Sequence, residues 1–158
     1  MRLLMIIAAA AATVLAPSAN AQPARTPASE LPQDSRAAGA VVEAFHMALS
    51  RGDTRAAAAL LADDALIYES GGVERGKAGY AAHHLAADAT FAKATTRVVS
   101  RRAGRADGST AWIASESTTK GSFKNRPINS VSTETMILRR ERSGWRIAHV
   151  HWSSANAK

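Results

Sequence analysis

Hydrophobic and polar positions divide the chain into a helical first half and a strand-forming second half. Apolar residues recur at spacings of three and four from Ala38 to Leu49 and stop at Gly52, which predicts an amphipathic helix. Later apolar segments, with their capping and turn residues, predict a short helix through Leu61, a strand over 65–70, a hairpin return over 73–75 and a helix over 77–90.

From residue 95 onward the apolar pattern has a period of two, which is typical of strands. Turn-forming residues such as Asp107-Gly108 and Ser143-Gly144 separate the segments. The predicted strands span 95–106, 110–121, 127–140 and 145–153. We therefore expect an α+β domain in which the helices cover one face of a curved antiparallel sheet.

The last predicted strand carries two histidines. Strict alternation of side chains places four residues on one face: Trp145, Ile147, His149 and His151. The opposite face also carries large apolar groups, so we expect both faces to be covered. A buried imidazole needs a partner for each ring nitrogen. The groups opposite these histidines therefore define a candidate site.

The N-terminus has the pattern of a secretory signal peptide. One cationic residue, Arg2, precedes an apolar run, and Ala19-Asn20-Ala21 forms a small-residue cleavage signature. We predict a signal peptide over 1–21, a flexible linker over 22–34 that adds nothing to the core, one domain over 35–154 and a tail over 155–158. The expected destination is periplasmic or secreted, with no membrane contact after cleavage.

Composition narrows the chemistry further. With no cysteine, the chain has no disulfide, no thiol nucleophile and no thiolate metal site. The net charge of +7 comes without interleaved aromatic residues, so we expect no nucleic-acid partner. The basic residues of the later strands are interpreted as a solvated or edge-protecting face. The alternative is a non-enzymatic interaction module whose basic face meets an acidic partner.

The order of elements resembles the nuclear transport factor 2-like superfamily, in its SnoaL-like and ketosteroid-isomerase-like branch. The resemblance is carried by Phe45, Ala48-Leu49, Gly52-Asp53, Leu60-Leu61, Asp63-Asp64-Ala65, Gly71, Gly76, Tyr80 and Gly144-Trp145-Arg146-Ile147. It implies a cone-shaped sheet wrapped around the three helices, a pocket at the open end of the cone, and a homodimer formed through the outer sheet face.

The resemblance also suggests roles for three residues. Glu69 falls where the steroid isomerases of this superfamily have their general-base aspartate, and Glu134 is the nearest counterpart of their second acid. Phe45 occupies the helix position of their oxyanion-binding tyrosine and has no donor to replace it. The alternative for Glu69 is a rim carboxylate paired with Arg75 or Lys77.

The third predicted helix offers a second group of polar residues. His84 and Asp88 are four residues apart and share a face with Tyr80, one turn earlier. Together with the two histidines of the last strand they form a minority alternative, a site for zinc or another divalent metal, whose ligands would be His84, Asp88, His149 and His151. Purely structural histidines are a further alternative.

We therefore expect a pocket that binds a small molecule, without a cofactor, and supports lyase- or isomerase-type acid-base chemistry. Glu69 is the expected base, and His84 or His151 is the expected acid or orienting group. The remaining predicted ligand-binding residues are Phe45, Tyr68, Tyr80, Asp88, Glu134 and His149.

Overall fold

The computed structural model describes residues 31–158. Its elements are α1 (Arg36–Arg51), α2 (Thr54–Ala59), β1 (Leu61–Glu69), β2 (Gly72–Arg75), α3 (Lys77–His83), α4 (Leu85–Ala94), β3 (Thr95–Asp107), β4 (Thr110–Phe123), β5 (Arg126–Glu141) and β6 (Gly144–Asn156). The predicted signal peptide and most of the predicted linker lie outside these residues. None of the helices within 31–158 has the length and hydrophobicity needed to span a lipid bilayer.

The end of α1 and the start of α2 lie where their capping residues predict, but α2 ends at Ala59, before the predicted Leu61. Gly52 ends α1 in the left-handed conformation, at a φ of 75°, and its N–H donates to the carbonyls of Ala48 and Leu49. Asp53 then caps α2 by accepting a hydrogen bond from the Ala56 N–H at 2.9 Å. The apolar stripe of α1 is buried against the sheet, as its spacing predicts.

The predicted third helix is two helices, α3 and α4, which meet at His84. His84 has a non-helical backbone, with φ −120° and ψ −34°. In a continuous helix, Tyr80 and Asp88 would be about 12 Å apart along the axis. The break allows the hydroxyl of Tyr80 to reach the carboxylate of Asp88.

The sheet has six strands in the order β2-β1-β6-β5-β4-β3. Four of its pairs are antiparallel, but β1 and β6 are parallel, so the sheet is mixed rather than antiparallel throughout. The strand β1 also begins at Leu61, earlier than predicted, and includes the exposed Asp63 and Asp64. The inner face of the sheet packs on α1, and their apolar side chains form the core.

Two bulges reverse the alternation of side chains along their strands. Ser100 is the extra residue in β3, and Ala148 is the extra residue in β6. Beyond Ala148 the inward side chains are Val150 and Trp152, so the predicted common face of four residues is wrong. Trp145 and Ile147 point inward, whereas the two histidines of the strand point outward.

The ends of the domain extend beyond the predicted boundaries. Leu31, in the predicted linker, packs against the core beside Gly39 and Gly104. The strand β6 continues to Asn156, and the N–H of Ala157 donates to Asn129 at 2.9 Å. Parts of both predicted flanking segments therefore contribute to the fold.

Gly121 lies where two chain segments approach closely, so adding a side chain there should destabilise the domain. A Cβ would lie 2.8 Å from the carbonyl oxygen of Ala94 and 2.9 Å from the Cα of Thr95, so the backbone would have to move. We expect Gly121→Ala to lower the free energy of unfolding by more than about 2 kcal/mol. Gly108→Ala is the control. An alanine there would strain only the backbone, at a φ of 55°, because no atom lies within 4 Å of the added Cβ. Equal losses in chemical denaturation would contradict this account.

Candidate functional site

A cavity of about 1360 Å³ lies between the inner face of the sheet and the helices α1 and α4. Apolar side chains, including Met47, Phe91 and Phe123, cover part of its wall. Hydroxyl side chains of the central strands form another part, namely Ser117, Thr119, Ser130 and Ser132. Such a wall suits an organic molecule with both apolar and polar groups.

Glu134 forms a buried hydrogen-bond network on one side of the cavity. Its side chain is 3% exposed. The carboxylate atom Oε2 accepts from His46 Nε2 at 2.7 Å and from Trp152 Nε1 at 2.6 Å. Arg97 Nη2 lies 3.4 Å from the other oxygen. Glu134 thus connects α1, β3 and β6 across the cavity wall.

These partners keep Glu134 ionised. Burial raises the pKa of Glu134, but the hydrogen bond and the positive charge of a protonated His46, the charge of Arg97 and the hydrogen bond from Trp152 outweigh it and lower this pKa to about 2. Since an ionised carboxylate only accepts hydrogen bonds, all three neighbours must act as donors toward it.

The bulge at Ser100 brings two arginines to the inner face. Arg97 precedes the bulge and Arg102 follows it, and the extra residue lets both line the cavity. Arg102 donates to Glu43 at 3.1 Å and to Ser115 at 3.2 Å. The interpretation of this basic segment as a solvated or edge-protecting face is therefore wrong for these two residues.

Two further carboxylates, Glu69 and Asp88, also line the cavity. Tyr80, which is 1% exposed, donates its hydroxyl to Asp88 Oδ2 at 2.7 Å. Burial raises the pKa of Asp88, and the bond from Tyr80 offsets this only in part. Burial and the nearby Asp88 raise the pKa of Glu69, while His84 has a smaller, opposing effect. These carboxyls hold protons more readily than ordinary ones, as proton-transferring groups do.

The predicted role of His84 as an acid in the cavity is not supported by its position. Its Nδ1 contacts Glu74, which His83 also approaches at 3.5 Å, and both imidazoles are largely exposed. His84 instead borders a small pocket of about 50 Å³ that Glu69 shares. It contributes to the charge around Glu69 from outside the main cavity.

Three other predicted site residues lie on the outer face of the sheet. Tyr68 pairs with His151 across β1 and β6, and its ring packs edge-on against His149 at 5.1 Å. His149 Nδ1 lies 2.9 Å from the Leu66 carbonyl oxygen. None of the three lines the cavity, so their predicted place in the pocket, and that of His151 as its acid, is wrong. The bulge at Ala148 is the physical cause for the two histidines, whereas Tyr68 alternates with the cavity residue Glu69 along β1.

The predicted position of Phe45 in the cavity wall is also wrong. It is fully buried and stacks on Trp152, with ring centroids 6.3 Å apart, and it does not line the cavity. Its neighbour His46 does. Sequence reasoning missed His46, Arg97 and Trp152. The only available signal for His46 was a polar residue beside the buried stripe of α1.

The alternative metal site is not assembled. Asp88 lines the cavity, whereas His84 lies outside it and the two strand histidines point to the opposite face of the sheet. Within residues 31–158, no group of three or more histidine, cysteine, aspartate or glutamate side chains is arranged to hold a metal ion.

A mixed sheet folded over helices, with a polar cavity on its inner face, defines the class of cone-shaped α+β domains that the sequence indicated. A family model for the SnoaL-like domain matches residues 39–157. The chain therefore belongs to the SnoaL-like domain family. A comparison with curated proteins found no match.

Solved structures agree with this assignment. A protein from Shewanella frigidimarina, provisionally assigned as a ketosteroid isomerase, is 37% identical, with a TM-score of 0.73, over 78% of this chain and 100% of its own. A nuclear transport factor 2-like protein from Streptomyces avermitilis, provisionally assigned as a dehydratase, is 18% identical, with a TM-score of 0.63, over 78% and 97%. A calcium/calmodulin-dependent kinase association domain from Xanthomonas campestris, also a provisional assignment, is 22% identical, with a TM-score of 0.67, over 83% and 96%. The last two establish the fold alone.

The low pKa of Glu134 makes folding stability depend on pH. Its pKa is 4.5 when unperturbed and about 2 in the folded protein, so its contribution is present above pH 4.5 and is lost as pH falls toward 2. The full difference is about 3 kcal/mol. We expect Glu134→Gln to remove this part of the slope in acid denaturation. Glu116→Gln, at an exposed position on β4, should retain it. An unchanged slope in Glu134→Gln would contradict the assigned ionisation.

Proposed function

We propose that this domain binds a small organic molecule in its cavity and transfers a proton on it, in a reaction of the isomerase or lyase type. The observation that carries the proposal is the carboxylate pair of Glu69 and Asp88 on the cavity wall. The 37% identity to a protein provisionally assigned as a ketosteroid isomerase supports the same class of chemistry. We propose export to the periplasm or exterior as its setting.

Glu69 is the better candidate for the base. Its side chain is only partly buried and lines the cavity, so a ligand can reach it, whereas Asp88 is more enclosed and already accepts from Tyr80. A general base works best when its pKa lies closer to the working pH than that of an ordinary carboxyl. Burial and Asp88 raise the pKa of Glu69 in this direction.

The proposed class of substrates is not restricted to steroids. The resemblance to steroid isomerases places Phe45 at the helix position of their oxyanion-binding tyrosine, but Phe45 has no donor and is buried in the core. The hydroxyl of Tyr80 is already engaged with Asp88. The groups with hydrogen-bonding capacity on the cavity wall are instead the strand hydroxyls and the network around Glu134.

We also propose that two copies associate through the outer face of the sheet. Large side chains are exposed there in neighbouring strands, including Tyr68 at 37%, Trp112 at 44% and Ile137 at 38%. Trp112 pairs with Ile137, which pairs with His149, so these side chains are contiguous. Contiguous exposed apolar surface is typical of protein interfaces.

Glu69→Gln should abolish base catalysis and leave the size and shape of the cavity unchanged. A suitable probe is nitrobenzisoxazole, whose ring opens when a base removes its C–H proton and the N–O bond breaks. We expect the protein-catalysed rate to fall by about 10²-fold or more. In the wild type the rate should fall as pH decreases through the raised pKa of Glu69, because only the carboxylate accepts the proton. Glu116→Gln is the matched control, and full activity in Glu69→Gln would refute the assignment.

Ile137→Arg should separate the proposed dimer, because it places a charge in the centre of the outer patch. Sedimentation velocity should give twice the chain mass for the wild type and the single chain mass for the variant. Met47→Arg also changes an exposed apolar residue but lies on α1, so it should leave the dimer intact. A monomeric wild type at micromolar concentration would overturn this part of the proposal.

A further inference from the structure

We infer that His46, held in place by Glu134, accepts a hydrogen bond from a hydroxyl group of the ligand, so that the cavity takes a hydroxyl-bearing organic molecule. The inference rests on the proposed function for the existence of a ligand. Its own basis is the arrangement of donors and acceptors around the His46 ring.

Glu134 determines which ring nitrogen of His46 carries the proton. The distance from Nε2 to the Glu134 carboxylate is 2.7 Å, and an ionised carboxylate only accepts hydrogen bonds. Nε2 must therefore be the donor. In the neutral ring this leaves a lone pair on Nδ1, because the tautomer of a histidine is set by the hydrogen bond of its other nitrogen.

Nδ1 is available to a ligand. No side chain or backbone group within residues 31–158 forms a hydrogen bond to it. In that part of the chain, Trp145 Nε1 is the only side-chain nitrogen or oxygen that is both buried and without a hydrogen bond. Since Nδ1 of His46 also has no hydrogen bond, it must be accessible to solvent. The His46 side chain is 16% exposed and lines the cavity.

The surrounding residues hold the ring before any ligand arrives. Trp152 and Arg97 contact the Glu134 carboxylate from other directions and restrict its movement. Phe45 lies edge-on to the His46 ring, with centroids 5.8 Å apart. A preorganised acceptor of this kind loses little entropy when it binds a donor.

Charge around the ring selects the kind of donor. Arg97 lies against the carboxylate that His46 contacts, so these two opposite charges offset each other and give no net attraction to an ammonium group. A carboxylate has no proton to donate to Nδ1. A neutral hydroxyl meets both conditions, and Ser117 and Ser132 on the same wall can bond to it or to a second hydroxyl.

The first measurement is the tautomer of His46 in the free protein, from long-range ¹H–¹⁵N correlation spectra. We expect a protonated Nε2 and an unprotonated Nδ1 at pH values where the ring is neutral. In Glu134→Gln the side-chain amide can also donate to Nε2, so the Nδ1–H form should become populated. A wild-type ring protonated at Nδ1 alone, or at both nitrogens near neutral pH, would overturn the inference, whatever the protein catalyses.

The second measurement compares phenol with anisole, which has the same ring but no hydroxyl proton. Dissociation constants are determined by NMR titration at a pH where the spectra show His46 to be neutral. We expect the preference for phenol over anisole to fall by about three- to tenfold in His46→Gln. His149→Gln is the control on the outer face and should keep the wild-type preference.

The outcomes separate this inference from the proposed function. An unchanged preference in His46→Gln overturns the inference but leaves Glu69 as the base. A reduced preference together with full catalysis by Glu69→Gln supports the inference and removes the base assignment. If neither probe binds the wild-type protein, both the proposed cavity ligand and the inference are wrong.

Discussion

The burial of one carboxylate, Glu134, constrains much of this structure. A charge removed from water destabilises a protein unless donors surround it, and the donors here come from α1, β3 and β6. His46 can reach Glu134 only if α1 lies at one height and rotation above the sheet. The interaction therefore fixes the position of the helix and, with it, the width of the cavity. The polar groups that do so also line the cavity, where a ligand can form hydrogen bonds with them.

The carboxylates Glu134 and Glu69 line the same cavity but are suited to different roles, because their surroundings differ. Glu134 has three donors and stays ionised, which suits it to hold a neighbouring ring. Glu69 has no such set of donors, and burial together with Asp88 raises its pKa, which suits it to take up a proton. Membership of the family explains why the fold has a cavity. The donors around each carboxyl then determine whether that group is suited to hold a neighbouring residue or to accept a proton.

Most of the fold follows from local patterns in the sequence. Spacing of apolar residues predicted α1, Gly52 and Asp53 located the end of α1 and the start of α2, and the period of two predicted the four long strands. The break at His84 was missed, because a helix interruption without proline or glycine has little local signal. The parallel pairing of β1 with β6 joins segments far apart in the chain, so local patterns contain no information on it.

The candidate site was predicted only in part. The sequence by itself determined the fold family and three residues of the cavity wall, Glu69, Asp88 and Glu134. Only the tertiary structure decided which strand residues face inward, because the single-residue bulges at Ser100 and Ala148 reverse the alternation that sequence reasoning assumes. A bulge depends on how neighbouring strands align within the sheet, which is a property of the whole fold rather than of any one segment.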